Sequence, residues 1–404
     1  GEFMKRLSLL RNRKLLVGVV GIVVFLALGF GQAALERSAA AQSEGLTWGP
    51  MFEVDPLWPK PLPNHWVIGA TIGVAVDERD HVWIVHRAST LNAGEIEASA
   101  DPQVAVDCCV AAPPVLEFDQ AGNLVGYWGG PGEGYEWPKS NHGIAVDHKS
   151  NVWIGGNDRE DAHVLKFTRH GQFLLQVGRA GQSQGSNDMQ NFSRVAKIFV
   201  DPRANEAYIS DGYGNRRVVV IDADTGEFKR YWGAYGNVPD DADLGRYDPR
   251  APAAKQFRTP VHCAELSTDQ LLYVCDRVND RIQVFNPDGT FVKEMFIEKE
   301  TLGAGSVWDI AFSKDADQTY LYVADGVNEK VYIVERKTLE LVSSFGDGGR
   351  QPGQFYGTHS IATDSHGNVY TTETFEGKRL QKFAYKGMGT IRTPHQGVLW
   401  PGAN

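Results

Sequence analysis

An all-β fold, a six-bladed propeller with four-stranded antiparallel blades, is what this 404-residue sequence predicts. Three observations lead there. A short apolar run ending in Asp or Ser recurs six times, over 73–77, 143–147, 197–201, 263–267, 309–313 and 360–364. The starts of these runs lie 70, 54, 66, 46 and 51 residues apart, the spacing of blades joined by variable loops. Between them, β-branched and aromatic runs alternate with turns carrying Asn123, Gly171, Gly226, Gly289 and Gly367, residues that accept the positive φ of tight hairpins.

Composition agrees and narrows the function. Hydrophobic residues make up 42% and charged residues 22%, ordinary for a globular protein that buries its core without staples. A net charge of −10 with no basic run in the body argues against a nucleic-acid partner. The expected partner is a small-molecule or peptide substrate.

Taken in order, Gly1-Glu2-Phe3 reads as a cloning remnant, and Met4 opens a basic start with Lys5, Arg6, Arg11, Arg13 and Lys14. An apolar stretch follows over 15–30, the order of a secretory signal, with cleavage expected after Ala33 or Ala41. The alternative is an uncleaved membrane anchor, which would be the chain's one tie to a bilayer. Residues 1–41 are therefore set apart, and the body is expected to work outside the cytoplasm, periplasmic or secreted. Residues 42–64, rich in Pro and Trp, read as an extended lead-in able to supply a strand that closes the ring. The propeller is expected over 65–388 and a tail over 389–404. Its clearest blade is the second, with strands over 143–147, 152–154, 164–167 and 172–177. Blade one is longer because 88–113 interrupt it, an insertion expected to fold over the channel mouth as a lid.

The position just before each apolar run carries the chemistry. It is His142, His262 and His359 in copies two, four and six, against Ile72, Ala196 and Trp308 in the others. A lone histidine before a strand is ordinarily a hydrogen-bonded core or surface group. Alternate units of a six-fold ring form a triangle about its axis, so three imidazoles at one repeat position converge, the three-ligand pattern of an open metal site. The remaining histidines, among them His65, His81, His148, His163, His170, His366 and His395, fall in turns or termini and read as structural or solvated.

In a propeller, the loop after strand two shares a mouth with the start of strand one. Arg87 and Arg277 there replace what is Gly212 or Gly326 in sister blades, and Tyr213 stands in a turn that does not need it. Four cysteines outside the cytoplasm invite pairing. Cys263 and Cys275 fall on adjacent strands of one blade and could form a disulfide. Cys108 and Cys109 are a vicinal pair that could close a ring, bind metal or stay reduced.

The segments Ser210-Asp-Gly-Tyr-Gly-Asn-Arg216, Val261-His262, Asp276-Arg-Val-Asn-Asp-Arg-Ile-Gln283 and His142-Gly-Ile resemble the lyase module of peptidylglycine α-amidating enzymes, a six-bladed propeller of NHL type. The resemblance implies zinc, or another divalent transition metal, on His142, His262 and His359. It implies Tyr213 as catalytic base, with Arg87 and Arg277 binding substrate and orienting the tyrosine. The implied reaction cleaves a peptidyl-α-hydroxyglycine to an amide and glyoxylate. The family usually has Asp after the third histidine, where it helps hold a structural calcium; here it is Ser360, so calcium is the less expected ion. Two other readings remain at this stage. One is a metal-dependent propeller hydrolase, a lactonase or esterase, although those usually hold calcium through oxygen ligands. The other is a non-catalytic propeller binding a protein or glycan.

Overall fold

The computed structural model of the chain describes residues 47–402, so the leader and its 15–30 stretch lie outside the described residues. These residues fall into two units, 47–49 with 389–394, and 50–388 with 395–402, the second of which is the propeller. No described helix is long and apolar enough to cross a membrane.

Six four-stranded sheets make the blades. Blade two runs Asn141–Val146, Val152–Gly156, His163–Phe167 and Phe173–Gly178, hydrogen-bonded in that order and within two residues of the predicted bounds. Blade six departs from chain order. Its inner strands are Thr358–Thr363, Val369–Glu373 and Arg379–Ile391, and its outermost is Thr47–Asp55 from the lead-in. Among the described residues, an early strand and a late one thus share one sheet.

The Asp that closes many of the apolar runs has a local task. Asp147 Oδ1 accepts the backbone N–H groups of Lys149 and Asn151 at 2.9 and 2.8 Å, fixing the hairpin. Its Oδ2 accepts the indole N–H of Trp153 at 3.0 Å. Asp77 does the same for Trp83, and Asp364 accepts the hydroxyl of Tyr370 at 2.9 Å. A buried aromatic six residues on is thereby satisfied and can fill the gap between blades. Trp83, Val85 and Val115 of blade one meet Ile144, Ile154, Leu165 and Phe167 of blade two in one buried cluster. Trp153 in turn packs against Ile198, Ala207 and Ile209 of blade three.

Cys263 and Cys275 pair directly across the first two strands of blade four, Cα atoms 4.8 Å apart, and form a disulfide. Cys108 and Cys109 are also bonded to each other, within the insertion of blade one. That insertion carries three single-turn 3-10 helices, Ala88–Thr90, Ala93–Glu95 and Glu97–Ser99. Lys378 of blade six reaches it, 2.7 Å from the Glu95 carboxylate. The 263–275 bridge closes a loop of 12 residues, and loss of a loop that size costs about 3 kcal/mol. Replacing both cysteines with Ala should therefore lower the denaturant midpoint; an unchanged midpoint would show that the strand pairing alone sets stability there.

Candidate metal centre

Each of the three histidines is the second residue of its strand: Asn141–Val146, Val261–Leu266 and Thr358–Thr363. Strand pairing slips by one residue at that place in all three blades. Such a bulge breaks the in–out alternation and re-aims a side chain. The rings consequently meet on the channel, with centroids 5.3 Å apart for His142 and His262 and 4.9 Å for each of them to His359. One ring nitrogen from each lies within 4.8 Å of the others, and all three residues are buried.

The odd blades orient what the even blades supply. His142 Nδ1 donates to the Ala196 carbonyl at 2.6 Å, His359 Nδ1 to the Ile72 carbonyl at 2.6 Å, and His262 Nδ1 to the Trp308 carbonyl. These acceptors stand at the same repeat position in blades three, one and five. A carbonyl can only accept, so the hydrogen resides on Nδ1 and Nε2 keeps its lone pair. Gly143, at φ 69°, permits the first contact, since a Cβ there would stand 2.5 Å from the Ala196 oxygen. Burial, with Arg277 and Arg87 adding to it, holds His359 down to about 3. Burial likewise pushes His142 and His262 well below the ordinary imidazole value, so the imidazoles are neutral at pH 7.

Tyr213 sits on a turn whose frame is independent of it. Buried Asp211 accepts the Asn215 side-chain N–H at 2.7 Å and Arg217 Nε at 2.8 Å. A Cβ on Gly212 would fall 2.0 Å from the Val261 oxygen, so glycine lets the turn lie against the strand bearing His262. The phenol oxygen stands 3.1 Å from His142 Nε2 and 3.0 Å from His262 Nε2. Arg277 reaches the same oxygen, Nη1 donating at 3.1 Å, from a turn built on the same plan: Asp276 accepts from Asn279 and Arg281 at 2.7 Å each. Arg277 also lies 4.4 Å from the Trp308 ring centroid. Arg87 is held elsewhere, by the Asn141 carbonyl at 3.0 Å and the Asn157 side-chain oxygen at 2.7 Å. The structure thus gathers the three histidines, Tyr213 and Arg277 into direct contact, and ties the Arg87 side chain, from blade one, to residues of blade two.

The donor set can be tested against a metal. Three Nε2 lone pairs meet one phenol hydrogen, which can serve one of them. A divalent cation satisfies such a set, and nitrogen ligands suit zinc and neighbouring transition metals better than calcium. The space beneath the histidines is lined by Lys197, Asp309 and Ser360. Lys197 Nζ lies 2.7 Å from Asp309 and 2.8 Å from Glu265, and Ser360 Oγ donates to Asp309 at 2.6 Å. Burial works against that ammonium, but the two carboxylates hold it above its ordinary value. A calcium, the less expected ion, would find the Asp309 carboxylate already engaged. A second cluster, Asp77, His81 and Glu117, also converges. Arg169 stands in its middle, 2.7 Å from Asp77 Oδ2, 3.1 Å from His81 Nδ1 and bonded to Glu117, so a guanidinium serves those groups.

Asn157 and Arg194 are site residues that the sequence pattern does not single out. Two positions before Ile72, His142, Ala196, His262, Trp308 and His359 the repeats carry Ala70, Ser140, Arg194, Pro260, Ser306 and Gly357, among which Arg194 carries the lone charge.

No protein-family model matches the chain. Peptidylglycine alpha-amidating monooxygenase of Rattus norvegicus is 30% identical over 157 residues, 38% of this chain but 14% of that protein's length. NHL repeat-containing protein 3 of Mus musculus is 27% identical over 303 residues, covering 73% of this chain and 69% of that one. A solved streptogramin B lyase superposes with a TM-score of 0.48 at 13% identity, covering 84% of this chain and 98% of that one. The chain is a six-bladed propeller, similar over most of its length to NHL repeat-containing protein 3 and over a shorter stretch to a peptidylglycine alpha-amidating protein.

Proposed function

We propose that this propeller is an exported, zinc-dependent lyase that cleaves a peptidyl-α-hydroxyglycine, or a similar N-acyl carbinolamide, to an amide and glyoxylate. One observation carries the reading: the Tyr213 oxygen meets two histidine Nε2 atoms, at 3.1 and 3.0 Å, beside a third buried histidine. Partial identity with an amidating protein supports it. Export is supported by the paired Cys263 and Cys275, which suit an oxidising compartment.

His142, His262 and His359 would hold the metal through Nε2. Bound there, it would supply Lewis acidity, making a nearby hydroxyl a stronger acid. The chain's own residues do the rest. Tyr213, as phenolate, takes the substrate hydroxyl proton. Arg277, donating to that oxygen at 3.1 Å, stands where the phenolate charge forms. As the carbon–oxygen double bond forms, the carbon–nitrogen bond breaks with its electron pair going to nitrogen. The proton held by Tyr213 then passes to that nitrogen, giving the amide and leaving the base as it began. Buried, neutral imidazoles keep competing protons away from the ligand nitrogens at pH 7.

Incubating the purified protein with α-hydroxyhippurate and assaying glyoxylate tests this directly, alongside elemental analysis. About one equivalent of zinc or another transition metal, with glyoxylate released, is the expected outcome. Calcium without a transition metal would favour a lactonase or esterase. Stoichiometric metal without glyoxylate would favour a non-catalytic propeller binding a protein or glycan.

A further inference from the structure

We infer that Arg194 joins Arg87 in a two-guanidinium clamp beside Tyr213 that selects a substrate carrying a carboxylate. The identity of that substrate rests on the lyase reading; the clamp itself does not.

Three arginines surround Tyr213, and they are not equivalent. Arg277 is committed to the phenol oxygen. Arg87 and Arg194, from blades one and three, both attach to Asn157 of blade two. Arg87 Nη2 donates to its side-chain oxygen at 2.7 Å, and Arg194 Nε donates to its backbone carbonyl at 2.9 Å. One residue therefore anchors an arginine from each of the two neighbouring blades. The Arg194 guanidinium carbon lies 5.9 Å from the Tyr213 ring centroid, and the Tyr213 backbone N–H donates to the Arg194 carbonyl at 3.0 Å. Only Nε of Arg194 is used; its two terminal nitrogens have no hydrogen-bond partner among the described residues.

The carboxylate of this neighbourhood, Asp161, is already occupied by the backbone N–H groups of Lys139, Ser140 and Asp158, at 2.9, 3.0 and 2.9 Å. Nor does the turn require an arginine. Arg194 has φ 64°, where Gly or Asn sits with less strain, and the aligned residues of the other blades are uncharged. A strained backbone carrying a free fork of donors beside the proposed base is suited to a ligand carboxylate, which accepts two parallel N–H bonds from a guanidinium. A carbinolamide derived from glycine presents that group one bond from the reacting carbon. Arg194 is thus assigned as a specificity-determining residue.

Calorimetric titration of the purified protein with hippurate, a stable carboxylate, and with its neutral amide N-benzoylglycinamide tests the clamp. The wild type should prefer hippurate. Arg194→Asn, a residue that accepts the same backbone, should bind hippurate about tenfold more weakly, roughly 1.4 kcal/mol, with amide binding unchanged. Arg194→Lys keeps the charge, loses the fork and should fall between the two; it also reports if the Asn variant fails to fold. Equal hippurate affinity in wild type and variants, or no wild-type preference for hippurate over the amide, overturns the clamp. Weakened hippurate binding in the variant, with no glyoxylate from wild type and α-hydroxyhippurate, keeps the clamp and removes the lyase. Glyoxylate release with Arg194-independent hippurate binding does the reverse.

Discussion

Tyr213→Phe should slow glyoxylate release from α-hydroxyhippurate by about 100-fold or more, the usual contribution of a positioned general base, while metal content stays at the wild-type level. The substitution removes one oxygen and little else. That oxygen contacts His142, His262 and Arg277, so its loss strips the site of its proton acceptor. The ring remains, 4.9 Å from His142 and 5.5 Å from His262 between centroids. The turn beneath is set by Asp211 with Asn215 and Arg217, none of which touches the phenol. Nor do the bonds that pin the imidazoles pass through it, since each Nδ1 is held by a backbone carbonyl. A variant with wild-type turnover would remove Tyr213 from the chemistry. One that lost metal together with turnover would make it a ligand or a support rather than a base.

Much of this site could be read from the chain because a propeller repeats. Once the apolar runs are aligned, His142, His262 and His359 fall on one repeat position, and ring geometry turns a sequence coincidence into convergence. Tyr213 and Arg277 were legible for a related reason. Their turns contain Asp, Asn and Arg that fold them, which leaves the residues between as surplus to folding. Other features left no such trace. The carbonyls of Ile72, Ala196 and Trp308 are backbone groups, so no side-chain pattern announces that they orient the three imidazoles. Asn157 looked like any turn asparagine until its two oxygens were seen to hold arginines from two blades. The Lys197–Asp309 pair is separated by more than 100 residues, and neither residue alone suggests a partner across the channel.

His359→Ala should abolish both metal binding and glyoxylate release, and it separates holding the ion from using it. Of the three proposed ligands His359 is the cleanest to remove, because it makes no hydrogen bond to Tyr213 and leaves the contact of Tyr213 with Arg277 in place. Loss of a mere outer partner of a metal ligand weakens binding ~10–100-fold, so loss of the ligand itself should exceed that. The local structural cost is smaller. The Ile72 carbonyl loses its donor, about 1–3 kcal/mol, in a propeller whose blades are otherwise closed by their own strands. Added zinc should therefore raise the melting temperature of metal-free wild type by mass action and leave His359→Ala unmoved. Acid sensitivity should separate them too. A buried imidazole held at about 3 contributes stability that is complete above its unfolded value of 6.5 and drains away as pH falls towards 3. The variant lacks that component, so its stability should fall less steeply across the same window. A His359→Ala protein that kept wild-type zinc affinity would mean that the imidazoles of alternate blades meet without sharing an ion, and the lyase reading would go with it.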